Sequence, residues 1–190
     1  MAIKIQGNVV LDYDGASSSI TNIAVGAGAL SNNSTGTYNT ALGYQSLNTI
    51  SSTNSNVGVG YQAGKSSSGY YNVYIGHQAA ANTTTAWWNT TIGYLAGYNN
   101  TGASNVLVGS EAGSTGTASQ SVFVGRQAGV NGGGGQCVGI GYQAAYTANT
   151  GSNFVAVGTA AGYSITSAYY TTLIGTNAGY SMTSAWHNTF

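Results

Sequence analysis

A segment of 16 or 17 residues recurs ten times along this chain, and this repeat constrains the fold more than any other feature. Each copy places a glycine directly after a short apolar segment such as NVGVG or NTALG. A unit this short cannot bury an apolar face alone, so such repeats stack into coils that share one core. The repeat glycines are Gly26, Gly43, Gly60, Gly76, Gly93, Gly109, Gly125, Gly141, Gly158 and Gly175.

Each apolar segment has the pattern of a short strand. The residue before the glycine is always Val, Ile or Leu, and the residue two positions earlier is Ile, Val or Thr. Alternation with a period of two puts both positions on one side of a strand. Because the residue between them varies, we expect it to face outwards and the residue before the glycine to form an inward core ladder. That ladder would consist of Val25, Leu42, Val59, Ile75, Ile92, Val108, Val124, Ile140, Val157 and Ile174.

The residues after the glycine predict a tight corner. Three positions later the side chain is always Ala or Ser, and a second glycine often follows, as in a turn that needs positive φ. The sequence therefore predicts an all-β fold, a parallel β-roll or narrow β-helix of ten coils. Adjacent strands lie about 4.8 Å apart, so the rod would be roughly 45 to 50 Å long. Residues 22–190 would form this solenoid, ending in the start of an eleventh coil, and residues 1–21 an N-terminal strand that attaches or caps it.

Asparagine opens most of the strand segments, and we expect these side chains to lie one above another. Stacked amides can hydrogen-bond up the rod, as in other stacked β-structures. The predicted asparagine ladder consists of Asn22, Asn39, Asn56, Asn72, Asn89 and Asn105, and Asn188 has the same place in the final partial copy. Ser121, Cys137, Phe154 and Thr171 interrupt it.

The composition excludes several classes of function. Charged residues make up 3% of the chain, and the only bases are Lys4, Lys65 and Arg126, so nucleic acid and membrane insertion are poor candidates. A single cysteine, Cys137, excludes an internal disulfide. The acids and histidines, which are Asp12, Asp14, Glu111, His77 and His187, are scattered along the repeats. We therefore expect no catalytic site, no metal site and no cofactor.

Aromatic residues are the most informative candidates for the surface. Tyrosine follows the repeat glycine at Tyr44, Tyr61, Tyr94 and Tyr142, and further aromatic residues lie between repeats at Tyr70, Tyr71, Trp87, Trp88, Tyr169, Tyr170 and Trp186. Aromatic planes among amides and hydroxyls suit either sugar rings or packing between chains. The sequence leaves these two interpretations open.

The repeat N-[TV]-x-[VIL]-G-Y-Q-[AS]-[GL], clearest at residues 39–47 and 56–64, resembles two known groups. It is similar to NTAVGYQAL repeats of bacteriophage fibre and virion structural proteins, particularly of cyanophages, and to the head repeats of trimeric autotransporter adhesins. This resemblance implies a left-handed, homotrimeric roll without enzymatic activity. It further implies a virion fibre or decoration module assembled in the host cytoplasm, which binds other virion proteins through its N-terminal segment and has host surface glycans as candidate partners. The alternative is the head of a surface adhesin on a bacterial cell.

The inward core ladder also makes a prediction about single substitutions. If Ile92 faces the core, Ile92→Asp should cost several kcal/mol, because a buried carboxylate without a partner is strongly disfavoured. Thr91, expected to face outwards, should accept Asp within about 0.5 kcal/mol.

Overall fold

The computed structural model describes residues 3–5, 8–11, 22–148 and 150–189, and the first two ranges are described for their backbone only. These residues form strands and turns and contain no helix. The strands are β1 (Ile3–Ile5), β2 (Asn8–Leu11), β3 (Ile23–Val25), β4 (Thr40–Leu42), β5 (Val57–Val59), β6 (Val73–Ile75), β7 (Thr90–Ile92), β8 (Val106–Val108), β9 (Val122–Val124), β10 (Val138–Ile140), β11 (Val155–Val157), β12 (Ser167–Tyr169), β13 (Thr172–Ile174) and β14 (Ser184–Trp186).

The main sheet has ten parallel strands, β3 to β11 followed by β13, each paired with the next along the chain. Equivalent residues of successive repeats lie opposite each other throughout, as Val57 does with Val73 and Thr90 with Val106. The predicted all-β solenoid of ten stacked coils is therefore confirmed. β12 and β14 form a second, two-stranded parallel sheet on another side of the last coils.

The repeat glycine ends each strand because the backbone there excludes a side chain. φ at Gly43 is +134°, a conformation that side-chain-bearing residues rarely adopt, and a Cβ would lie 2.3 Å from the carbonyl oxygen of Gly60. A turn follows, in which the amide of Ser46 donates to the carbonyl oxygen of Gly43 at 3.3 Å. Strand length is thus limited to three residues by a required corner.

The predicted core ladder is wrong, because the opposite side of each strand faces the core. The middle residue of every main-sheet strand is buried, and neither of its neighbours is. Leu42 and Ile174 are 47% and 64% exposed, whereas Ala41 and Leu173 are fully buried. The outward-facing column is Val25, Leu42, Val59, Ile75, Ile92, Val108, Val124, Ile140, Val157 and Ile174.

Small residues make this inversion possible. The coils are too narrow for a large side chain at every inward position, so a bulky residue packs over a glycine or alanine elsewhere in the core. Tyr74 fills space left by Gly64, where a Cβ would lie 2.4 Å from the tyrosine ring. Phe123 likewise occupies the space over Gly129, where a Cβ would also lie 2.4 Å from its ring. The size of the residue at the middle of the strand varies because the size of the residues packed against it varies in the opposite direction.

The N-terminal segment contributes an antiparallel pair, β1 with β2, and β2 contacts β3 at the start of the main sheet. Residues 12–21 lie outside the described ranges. An attachment or capping role for residues 1–21 therefore stays a prediction. At the other end, Thr189 pairs with Thr172 in parallel fashion, continuing the repeat beyond β13.

Candidate binding surfaces

The asparagine column lies in the interior and fixes the coils against each other. Its side-chain oxygens accept the backbone N–H of the next column residue, as Asn39 Oδ1 does from Asn56 at 3.0 Å. Its amide groups donate mainly to backbone carbonyl oxygens, for example from Asn39 Nδ2 to Thr53 at 2.8 Å. Direct amide-to-amide bonds also occur, from Asn56 to Asn39 and from Asn72 to Asn56. Satisfied polar groups in a narrow core hold the outer faces in register.

The column continues at Ser121, the first position where asparagine is replaced. The hydroxyl oxygen of Ser121 accepts a hydrogen bond from the backbone N–H of Cys137 at 3.1 Å. The shorter serine side chain thus serves as the acceptor that asparagine provides elsewhere. No buried side-chain nitrogen or oxygen lacks a hydrogen-bond partner among the described residues. The buried side chains of the described coils thus offer a ligand no unpaired nitrogen or oxygen.

The outer face of the main sheet, called the sheet face below, is made of the first and third residues of its ten strands. These 20 side chains are Ile, Val, Leu or Thr, none is charged, and none is buried. Because the strands are in register, the side chains form two straight apolar columns along the rod. Ile23, Leu42, Ile75, Val106, Ile140 and Ile174 are the most exposed of them.

One border of the sheet face carries the aromatic residues that follow the repeat glycine. Tyr44, Tyr61, His77 and Tyr94 lie in successive coils, with ring centroids 5.5, 4.8 and 5.5 Å apart. Further along, the guanidinium group of Arg126 lies 5.7 Å from the ring centroid of Tyr142. This tyrosine column is exposed and widens the apolar surface beside the sheet.

The other border carries two groups of aromatic residues just before the asparagine column. The first platform comprises Tyr70, Tyr71, Trp87 and Trp88. The second platform comprises Tyr169, Tyr170, Trp186 and His187. The candidate residues Trp87, Trp88, Tyr169 and Tyr170 are therefore gathered into two separate groups, apart from Tyr44, Tyr61, Tyr94 and Tyr142.

A further side of the rod presents small uncharged polar residues. Here hydroxyls of one coil donate to backbone carbonyl oxygens of the next, as Thr150 does to Thr166 at 2.9 Å and Thr166 to Thr183 at 2.9 Å. Thr84, Thr101 and Thr117 are exposed on this side. Hydroxyls and amides rather than charges keep this surface hydrated.

Groups suited to chemistry stay dispersed in the described part of the chain. No cluster of His, Cys, Asp and Glu there could hold a metal ion. Glu111 accepts a hydrogen bond from Gln127 Nε2 at 2.7 Å, within a row of outer glutamines. Asp12 and Asp14 lie outside the described residues. A void beside Tyr74, Thr83 and Leu107 has no room for a water molecule.

No helix among the described residues is long and apolar enough to cross a bilayer.

Two features of this surface escaped the sequence analysis. The sheet face was assigned to the core, although the opening asparagine and the strand centre are two residues apart and must share a side. Of the platform residues, the sequence interpretation leaves out only His187, although its spacing of 17 residues from Tyr170 repeats that of Tyr71 and Trp88.

Comparisons with known protein families, with characterised proteins and with solved structures find no match to this chain. The resemblance to virion fibre and adhesin repeats therefore remains a sequence-based prediction.

Proposed function

We propose that this chain is a structural module of a bacteriophage particle, a homotrimeric fibre or decoration rod that projects outwards and contacts the host surface. The observation that carries this proposal is the sheet face, a continuous apolar strip along the rod that none of the described residues covers. Soluble monomers rarely expose contiguous apolar surface beyond a few hundred Å². A flat strip of this length suits association with parallel copies of the same chain.

The dimensions of the sheet face fit such a trimer. Ten strands about 4.8 Å apart and three residues of about 3.3 Å each give a footprint of roughly 480 Å² per chain. A stable interface covers about 800 Å² per partner, so the tyrosine column on one border would have to join it. Closed threefold symmetry would turn all three sheet faces towards the axis and carry the three N-terminal segments to one end.

The oligomeric state tests this proposal directly. Light scattering should give about 57 kDa, three times the chain mass of 19.1 kDa, across a hundredfold dilution. The double variant Ile75→Asp/Ile140→Asp puts two carboxylates on the sheet face and should give 19.1 kDa with an unchanged circular dichroism spectrum. The matched control Thr84→Asp/Thr183→Asp, on the polar side, should keep the trimer mass. A folded wild-type monomer would refute the trimer.

The location in a virion needs a separate experiment. We expect the chain among the structural proteins of purified particles by mass spectrometry, bound to other virion proteins through residues 1–21. The absence of charge clusters and metal-site clusters from the described coils fits a role in assembly and contact, and no catalytic step is assigned to the chain.

The alternative, a bacterial surface adhesin head, uses the same trimeric rod at a different location. It predicts an export signal and a membrane anchor in the complete reading frame, and surface labelling of intact cells by antibodies. Detection in cell envelopes but not in virions would favour the adhesin.

A further inference from the structure

Two equivalent groups of four aromatic side chains occur on one border of the rod. In the first platform the dipeptide Tyr70–Tyr71 lies next to Trp87–Trp88 of the following coil, and in the second Tyr169–Tyr170 lies next to Trp186–His187. The dipeptides at the same place in the four intervening coils carry no aromatic residue, for example Ala103–Ser104 and Ser119–Gln120. All three tryptophans of the chain belong to these platforms.

The first platform has the shape of a bracket. Tyr71 and Trp88 have nearly parallel rings, inclined at 6° with centroids 6.4 Å apart. The ring of Trp87 stands almost perpendicular to that of Trp88, at 85° and 5.6 Å, and to that of Tyr70, at 89° and 5.9 Å. Two ring orientations at right angles thus meet at one exposed corner.

The second platform repeats the pairing with a histidine in place of one tryptophan. The rings of Tyr170 and His187 stack at 5.0 Å, and those of Tyr169 and Trp186 lie 4.6 Å apart at 33°. Tyr169 is fixed further by its hydroxyl, which donates to the carbonyl oxygen of Thr150 at 3.1 Å. Both platforms therefore consist of rings held in place by neighbouring coils.

Packing within the chain does not explain these residues. Tyr71, Trp88, Tyr170 and His187 have φ between 52° and 60°, a left-handed conformation that bulky residues rarely adopt. Equivalent coils fill the position with Ser104, Gln120 or Asn153, so an aromatic ring is not required there. Tyr71, Trp88 and Tyr170 still expose 56%, 55% and 58% of their surface. The left-handed backbone recurs at this position throughout the described coils, so the fold imposes it, and it is the clustering of exposed aromatic rings there that indicates a function.

We propose that the two platforms are equivalent binding sites for uncharged oligosaccharides. Aromatic rings pack against the apolar faces of sugar rings, and neighbouring hydroxyls and amides hydrogen-bond around their edges. Lys65, Glu111 and Arg126, the Lys, Arg, Asp and Glu residues of the described coils, lie in other columns, so a carboxylated, sulfated or phosphorylated sugar would find no Lys or Arg beside either platform. This inference rests on the proposed function, since it supplies the ligand class for a rod that meets a cell surface.

The spacing of the platforms makes the rod bivalent. Six coil steps of about 4.8 Å separate them, or about 29 Å along a rigid axis. Two linked sites on a densely glycosylated surface bind more tightly than either alone, by about 10² to 10⁴-fold when the geometry allows both to engage. One chain alone would thus show weak binding to free sugar and strong binding to a sugar-coated surface.

Tryptophan fluorescence tests the sites, because all three tryptophans lie within them. The full chain is titrated with neutral hexasaccharides of glucose, mannose, galactose and N-acetylglucosamine, up to about 10 mM, since single sugar sites often bind in the millimolar range. At least one of them should shift the emission saturably, while a sialylated oligosaccharide should not. No saturable shift with any of the four would overturn the proposal.

Variants then separate the two sites. Trp87→Ala/Trp88→Ala should abolish the response of the first platform, and Trp186→Ala that of the second. Each should leave the dissociation constant of the remaining site unchanged but weaken binding to beads coated with the responsive hexasaccharide by more than about tenfold. The control Thr101→Ala/Thr117→Ala, on the polar side and outside both platforms, should alter neither.

The mass of each variant distinguishes this inference from the trimer proposal. The tryptophan variants should keep the mass of the wild-type protein in light scattering. If they dissociate the assembly instead, the platforms are contacts between chains and the oligosaccharide proposal falls while the trimer stands. If wild-type protein is a monomer that binds sugar, the trimer falls and the sites remain.

Discussion

Thr91 and Ile92 are neighbours in β7 that face opposite sides, and they show how much one residue step decides. Thr91 is 1% exposed within the core, whereas Ile92 lies on the sheet face. We expect Thr91→Asp to cost several kcal/mol, because its carboxylate would be buried without a partner. Urea unfolding followed by circular dichroism measures this cost, and an unchanged midpoint would contradict the buried position.

Ile92→Asp should behave in the opposite way. As a substitution at the surface of the single chain it should change the stability of that chain by about 0.5 kcal/mol or less, while weakening the proposed trimer. Comparing unfolding at low protein concentration with light scattering at high concentration separates the two effects. This order of severity is the reverse of the one that the sequence predicts.

Cys137 offers a residue-scale test of the interior. Burial raises the pKa of its thiol to about 11, from an ordinary value of 9.0. A raised pKa means that the folded chain keeps a proton that the unfolded chain loses, so this thiol lowers stability as pH rises from about 9 towards 11. The loss should be smaller in Cys137→Ser, because a serine hydroxyl does not ionise in this pH range, while it can still donate to the carbonyl oxygen of Gly135. Melting temperatures measured across this pH range test the difference.

At the scale of the coil, the core conserves volume rather than residue type. Gly58 and Gly64 leave space in the core of their coil, and the side chains of Leu47 and Tyr74 from the adjacent coils fill this space. Sequence patterns assign residues to the core by their apolar character, so a column of Ala, Gly, Thr and Tyr looks like a surface. The coil length, the corner glycines and the positions of the asparagines follow from the sequence, because each depends on backbone geometry that every repeat must satisfy. The sequence does not show which side of the strand is buried, because alternation shows only which residues share a side.

The pairing of Phe123 with Gly129 tests this conservation of volume. Gly129→Ala should cost about 2 to 4 kcal/mol, since its methyl group would overlap the phenylalanine ring and alanine would adopt positive φ. In a Phe123→Ala background the same change should cost about 1 kcal/mol, for the backbone alone, as at the native Ala145 with φ 54°. A double-mutant cycle by urea unfolding measures the coupling. If the free-energy costs of the two single substitutions add up to that of the double variant, the two positions do not compensate for each other in volume.

At the scale of the whole molecule, each coil contacts only its neighbours, so the rod should tolerate loss of one complete repeat. Deleting residues 106–121 joins Asn105 to Val122 and restores the repeat as NVFVG. This variant should fold with a similar circular dichroism spectrum and a moderately lower melting temperature. Deleting residues 106–113 instead breaks the register and should abolish cooperative unfolding. Equal behaviour of the two deletions would contradict a modular rod.

The direction of the hydrogen bonds has a mechanical consequence. In the main sheet the backbone bonds run from coil to coil, as from the amide of Gly60 to the carbonyl oxygen of Leu42, and therefore along the rod. A pulling force on the two ends loads successive coil junctions in series, and the weakest junction yields first. Each coil that opens would release 16 or 17 residues, or roughly 55 Å of extended chain. A rod of this kind would lengthen in steps under tension, so a particle tethered through it could absorb a sudden load before the contact itself breaks.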